Sequence, residues 1–208
     1  LLEGRHIADV VRGRRGLRLN YLSEARRPGQ TPLSLSLPPI LGQFEGRAVS
    51  DYLDGVLPND SRTRAAIGRT YGVDGADALD LLSAIGLDVA GAVQFCTPGA
   101  IDEALTRTGR LVPASESDIE GRLAELRLDD EPRWVMPGEH WSLGGSQGKF
   151  TLRRESGRWH FPHGAEPSTH IVKPGVRAVQ RQALIEHVTM RVAEALGLEV
   201  AEPSYVDF

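Results

Sequence analysis

Three features in the last third of the chain have the residue types and order of a phosphate grip. Gly144, Gly145 and Gly148 lack side chains, so the backbone N–H groups of Ser142, Leu143, Gly144, Gly145, Ser146 and Gln147 can approach phosphate oxygens closely. Lys173 offers a compact ammonium on a flexible stem, and Glu186, further along, can orient that lysine as an ion pair. Lysine is scarce in this chain: of 24 basic residues only Lys149 and Lys173 are lysine. A chain that uses arginine for general positive charge retains lysine where a point charge on phosphate is needed. Taken singly, each feature has an ordinary explanation. A glycine-rich turn is commonly a hairpin, a strand lysine a surface charge, and a helix glutamate a solvated residue.

The elements that must position these groups are legible as patterns. Phe150 to Arg154 and Arg158 to Phe161 flank Glu155-Ser156-Gly157 as a hairpin, and Thr169 to Lys173 reads as a short strand. Ile185, Val188, Val192 and Leu196 form a helical stripe stopped by Gly197, with Glu186 on its shoulder, and Tyr205 to Phe208 reads as a last strand. A glycine-rich turn between strands, then a lysine ending a strand, then a glutamate on a helix is the order that a protein-kinase amino-terminal lobe requires.

Upstream, Leu2 to Tyr21 reads as a strand pair with turns at Arg12-Gly13-Arg14 and Arg15-Gly16, followed by a strand over Leu33 to Leu37 that ends at Pro38-Pro39. Val49, Tyr52, Leu53, Val56 and Leu57 share one helical face ended by Pro58; helices follow over Ser61 to Tyr71 and Ala78 to Ile85, the latter closed by Gly86. Ala92 to Phe95 returns to extended chain, and residues 97–114 read as an irregular connection. Ser115 with Asp118 has the form of a capping box before a helix bearing Ile119, Leu123 and Leu126. The fold class is α+β: a small antiparallel sheet with covering helices over residues 1–128, then a kinase-like lobe of antiparallel strands and one long helix over residues 129–208.

Composition narrows the alternatives. With 40% apolar and 25% charged residues, the chain is globular in character. No apolar run approaches the roughly 18 residues of a membrane span, and no charged-then-apolar leader opens the sequence. The expectation is therefore a cytoplasmic protein without a membrane partner. Cys96 stands alone, which excludes a disulfide framework or a cysteine zinc site within the chain, and it reads as a small buried core residue. Arg5, Arg12, Arg14, Arg15, Arg18, Arg26 and Arg27 make the first residues basic, but no aromatics interleave and the net charge is -4, so a solvated surface is favoured over a nucleic-acid site. His160, His163 and His170 lack a cysteine or spaced carboxylate for a metal. Trp134, Trp141 and Trp159 read as packing residues.

The chain also resembles the HipA toxins, bacterial serine/threonine kinases. The resemblance spans nearly the whole sequence. It rests on Gly16-Leu17-Arg18-Leu19-Asn20-Tyr21, Pro32 to Pro38, Leu57-Pro58-Asn59-Asp60-Ser61, Asp80 to Val93, Ser142 to Lys149, Thr169-His170-Ile171-Val172-Lys173-Pro174 and Glu186 to Leu198. It implies that Ser142, Leu143, Gly144, Gly145, Ser146 and Gln147 form the phosphate loop, that Lys173 is the ATP-binding lysine and Glu186 its partner, and that Ser142 is an autophosphorylation site. Where the family commonly has alanines this loop has Gly144 and Ser146, and Ser146 offers a second hydroxyl.

The resemblance further implies ATP and Mg²⁺ as cofactors and a HipB-like DNA-binding antitoxin as partner, with DNA reached only through it. The implied substrate is a protein such as an aminoacyl-tRNA synthetase. It places the catalytic-loop aspartate and asparagine and the metal-binding aspartate beyond Phe208, so Mg²⁺ ligands and phosphoryl transfer are not expected from this segment alone. A fragment of a longer kinase is one expectation; a non-catalytic antitoxin-binding or regulatory module of a split system is the alternative. An apolar patch left for the second lobe would make the segment self-associate.

Overall fold

A computed structural model describes residues 1–89, 91–128, 147–176 and 179–206. The described residues fall into two units, divided between Thr108 and Gly109.

In the first unit, β1 (Ala8–Gly13) and β2 (Gly16–Tyr21) form an antiparallel hairpin closed by the pair Gly13 and Gly16. The first glycine leaves room for Glu45: a Cβ on Gly13 would lie 2.4 Å from Glu45 Oε1, and that side chain would have to shift. That carboxylate accepts hydrogen bonds from the Arg15 N–H at 3.2 Å and from the Arg18 guanidinium at 3.3 Å, which hold its pKa below the usual range. Glu45 belongs to β3 (Gln43–Glu45), which takes the free edge of β2, giving the order β1-β2-β3.

The expected strand over Leu33 to Leu37 does not form. With β1 and β3 on its two edges, β2 has no edge left for it. The segment turns instead, Leu37 N–H donating to Ser34 O at 3.0 Å. The Tyr21 hydroxyl binds the loop from beneath, donating to Leu37 O at 2.7 Å and accepting from Leu33 N–H at 3.2 Å. The apparent alternation is therefore a turn, with Leu37 buried and Leu35 94% exposed.

Three helices cover this sheet over the segments expected to be helical: α1 (Arg47–Gly55), α2 (Ser61–Tyr71) and α3 (Ala78–Ile85). Side-chain caps satisfy the first N–H groups, Asp60 accepting from Arg62 N–H and Asp77 from Leu79 and Asp80 N–H. Val49 and Leu53 of α1, Ile67 of α2 and Leu81, Leu82 and Ile85 of α3 meet Leu19, Tyr21, Leu37 and Leu57 in one buried cluster. The Cys96 expectation is corrected: its side chain is half-exposed and lines a cavity of about 220 Å³, since Phe95 fills the neighbouring packing position against Gly86.

Residues 97–114 are more ordered than their Gly, Pro and Thr content implies. They contain α4 (Ile101–Thr106) and β4 (Gly109–Pro113). The strand opens the second unit, which is why the division precedes the expected 128/129 boundary. Its partner is β6 (Arg158–Gly164), in a four-stranded antiparallel sheet of order β4-β6-β5-β7 with β5 (Phe150–Glu155) and β7 (His170–Val172). The β5–β6 hairpin turns at Ser156 and Gly157, both at positive φ (49° and 80°), the turn whose twist matches that of the strands it joins.

One face of this sheet is covered by α5 (Glu116–Leu128), whose Ile119 and Leu123 pack on Phe150 and Leu152. The capping box forms: Asp118 accepts from the Ser115 hydroxyl at 2.6 Å, and Asp118 N–H donates back to Ser115 Oγ at 3.2 Å. The last helix, α6 (Gln182–Ala195), has no buried residue, and its stripe of Ile185, Val188, Val192 and Leu196 is exposed. Tyr205 and Val206 are not in a strand; the Tyr205 ring lies 6.4 Å from that of His187 on α6.

Trp134 and Trp141 lie outside the described residues. Trp159 packs against the smaller core, with the Arg154 guanidinium 5.1 Å above its ring and His170 edge-on at 4.8 Å. His170 also shares a 2.7 Å hydrogen bond with the Thr169 hydroxyl. Among the described residues no helix is long and apolar enough to cross a membrane, and no group of three potential metal ligands gathers.

Candidate functional site

Lys173 follows the last residue of β7, and Glu186 lies in the first turns of α6. A short strand fixes the lysine backbone and a helix presents the glutamate, so an ion pair between them ties helix to sheet. The structure makes this pair: Lys173 Nζ donates to Glu186 Oε1, with both side chains about one-third exposed (38% and 33%). A partly solvated pair of this kind adds little to stability. Its effect is positional, holding an ammonium at the open end of a strand.

Two glutamines extend the arrangement. Gln182 lies one helical turn before Glu186, so their side chains share a face. Its Nε2 donates to Glu186 Oε2 at 3.2 Å, while its Oε1 accepts from Val176 N–H at 3.3 Å and from Gln147 Nε2 at 3.4 Å. Gln147 Nε2 also donates to Pro174 O, the residue after Lys173. Thus the end of the glycine-rich segment, the chain leaving β7 and the start of α6 meet in one polar network. The approach to α6 is strained: Arg181, at its N-cap, has φ 56°, a left-handed conformation that a side-chain-bearing residue adopts at a cost, and no side chain caps the helix.

Of the residues expected from the sequence, the structure therefore brings Gln147, Lys173 and Glu186 together. Ser142, Leu143, Gly144, Gly145 and Ser146 lie outside the described residues. Sequence reasoning treated Gln147 only as a backbone donor and missed Gln182 entirely. The available signal was spacing, since Gln182 precedes Glu186 by one helical turn.

An ammonium held by a carboxylate at the end of a strand, with Gln147 bonded beside it, is suited to bind phosphate oxygens by charge-assisted hydrogen bonds. Its described side chains, Lys173, Glu186, Gln182 and Gln147, include no hydroxyl or thiol, and neither Lys173 nor Glu186 is positioned by these contacts as a general base.

Comparison with known proteins accords with this arrangement. The HipA N-terminal domain family matches residues 1–96, and the HipA-like C-terminal domain family matches residues 141–208. The serine/threonine-protein kinase toxin HipA of Shewanella oneidensis is 32% identical over 196 residues, covering 91% of this chain and 42% of the toxin. The protein Y4mE of Sinorhizobium fredii is 32% identical over 174 residues, covering 82% of this chain and 40% of its own length. The chain thus spans about two fifths of these curated relatives. A solved complex of HipA, HipB and operator DNA from Shewanella oneidensis MR-1 contains a chain that superposes with a TM-score of 0.74 at 27% identity. That match covers all of this chain and 47% of the other. Two domain families in the expected order, relatives at 32% identity and a shared fold over the whole length together place the chain in the HipA family.

Proposed function

We propose that this chain is the amino-terminal part of a HipA-type serine/threonine protein kinase that grips the phosphates of ATP with Lys173, oriented by Glu186. The Lys173–Glu186 ion pair, tied to the glycine-rich segment through Gln182 and Gln147, is the observation that supports this reading. In this reading ATP supplies the phosphoryl group. Lys173 offsets charge on its phosphates, backbone N–H groups of Ser142 to Gln147 cover them, and Glu186 keeps the ammonium from swinging into solvent. The Mg²⁺ ligands and the catalytic base belong to a carboxyl-terminal lobe of the whole protein, so residues 1–208 alone transfer no phosphate.

Ser142 is the proposed site of self-modification, where added negative charge would repel nucleotide phosphates. The whole protein, in the cytoplasm, would phosphorylate a serine or threonine of a protein substrate, for which an aminoacyl-tRNA synthetase is the proposed class. It would bind a HipB-like antitoxin, and DNA through it. The test is phosphate transfer from ATP by the whole protein. Lys173→Ala removes transfer while circular dichroism and melting stay as in the wild type; full retained activity overturns the assignment. Ser142→Ala leaves transfer active and removes phosphate from the loop, whereas phosphate still found there by mass spectrometry assigns the modification to Ser146.

A further inference from the structure

Two glutamine amides beside the Lys173–Glu186 pair have their orientation imposed by backbone groups. Gln147 meets the carbonyl oxygen of Pro174, so its Nε2 must face that acceptor; Gln182 meets the Val176 N–H, so its Oε1 must face that donor. With both amides fixed, Gln147 Nε2 donates to Gln182 Oε1, and Gln182 is left with its Nε2 toward Glu186, where it donates to Oε2 at 3.2 Å. Lys173 holds the other carboxylate oxygen, Oε1. Both oxygens are thereby engaged, and the carboxylate cannot turn about its last bond without breaking one contact. Lys173 alone would fix it poorly, because that pair is about one-third exposed.

We propose that Gln182 is a positioning residue for nucleotide binding: it locks the Glu186 carboxylate so that Lys173 stays aimed, and through Gln147 it couples that lock to the end of the glycine-rich segment. This inference rests on the proposed ATP grip, and it does not require Gln182 to touch nucleotide. Arg181, immediately before Gln182, is in the left-handed region at φ 56°, and strain of this kind persists where surrounding contacts over-determine it. Gln182 supplies such contacts in three directions, to the chain leaving β7, to Gln147 and to its own helix. Glutamine suits the place because one side chain both accepts and donates. A glutamate would keep the acceptor, lose the donor and set a like charge one helical turn from Glu186. A methionine would keep the length and the helix propensity with neither polar group.

The experiment titrates Mg·ATP and adenosine into the whole protein and its variants by calorimetry, alongside melting curves. Gln182→Met is expected to weaken Mg·ATP binding by roughly tenfold, the loss of one hydrogen bond to a charged group. Adenosine binding and the unliganded melting temperature stay as in the wild type. Gln182→Glu weakens Mg·ATP binding at least as much. Gln147→Met weakens it too, and the double variant with Gln182→Met loses less than the sum of the two single losses, because both residues act through one chain of bonds. Additive losses overturn the coupling. A lowered melting temperature with both ligands weakened alike makes Gln182 structural and overturns the proposal.

The Val176 amide, whose N–H is held by the Gln182 side chain, gives a readout in the wild type that requires no variant to fold. Its hydrogen exchange is expected to slow at saturating Mg·ATP, and to be insensitive to Mg·ATP in Gln182→Met. Unchanged Val176 exchange in the wild type, or wild-type Mg·ATP affinity in Gln182→Met when Lys173→Gln has lost it, overturns the role of Gln182 and leaves the ATP grip standing. Wild-type affinity in Lys173→Gln, or no Mg·ATP binding by the wild type, overturns both.

Discussion

The two units of this chain achieve order in different ways. The first closes its own core: Leu19, Leu37, Val49, Leu53, Leu57, Leu81 and Ile85 are fully buried where three helices cover a sheet. The second buries a small cluster, Ile119, Leu123, Phe150 and Leu152, beneath α5, while α6 buries nothing and connects to the sheet through Lys173, Glu186, Gln182 and Gln147. Apolar burial at about 25 cal/mol per Å² stabilises the first without any partner. Hydrogen bonds and a partly exposed ion pair contribute far less, about 1 kcal/mol each. The proposed phosphate grip thus lies in the sparsely packed unit, whereas ion pairs of the firmly packed one, such as Arg107–Asp88, stand beside a core that is already closed.

That contrast is most sharply tested by paired substitutions. In the whole protein, Lys173→Ala is expected to lower phosphate transfer by on the order of 10³- to 10⁵-fold, the scale set by removing a cation from a phosphoryl-transfer site. Its melting temperature should hardly change. Leu53→Ala in the first unit should behave conversely, losing about 2–5 kcal/mol of stability in denaturant titration with substrate-saturated transfer near wild type while the protein remains folded. A strongly destabilising Lys173→Ala would mean that the ion pair is structural.

Gly86→Ala probes the first unit's packing more gently. An added Cβ would sit 2.6 Å from Phe95 Cβ and 2.8 Å from its carbonyl oxygen, beside the 2.7 Å hydrogen bond from Phe95 N–H to Gly86 O. Overpacking of this kind costs about 1–3 kcal/mol, read as a lowered melting temperature. On α6 the same measurement should register almost nothing. Val188→Glu, at a position 50% exposed, is expected to stay within about 0.5 kcal/mol of the wild type. The 208-residue segment should instead self-associate through this face, and Val188→Glu should shift it toward monomer by sedimentation; a wild-type segment monomeric at high concentration contradicts this.

The smallest expected effect is local to α5. Asp118's pKa is held below its ordinary 3.8 by hydrogen bonds from the Ser115 hydroxyl and N–H. Its contribution is present above the unfolded value and is lost as pH falls through the lower folded one. Amide exchange at the start of α5 should accelerate across that acid range, and Asp118→Asn should flatten the dependence.

What the sequence revealed follows the same division. The stripes of α1 and α3 and the caps at Gly86 and Ser115 are local signals, so these elements were readable residue by residue. The failures were non-local. Leu33 to Leu37 alternates like a strand, but whether an edge is free depends on β3, later in the chain. Gly109–Pro113 has loop composition, and it is a strand because β6 pairs with it across a long sequence separation. At the site, Glu186 could be matched to Lys173 because a helix after a strand returns to it. Gln182 shares a face with Glu186 by helical spacing, but its bonds to Val176 and Gln147 arise only where the chain leaving β7 meets the start of α6, and no local pattern sets that meeting.

The most direct test of this division of labour is hydrogen–deuterium exchange on the whole protein with and without Mg·ATP. The account predicts nucleotide protection at residues 147–152, at 170–176 and through the first turns of α6, with the α1 and α3 amides of the first unit unchanged. Protection confined to the first unit, or none anywhere at saturating Mg·ATP, would contradict the assignment of the phosphate grip to Lys173 and Glu186.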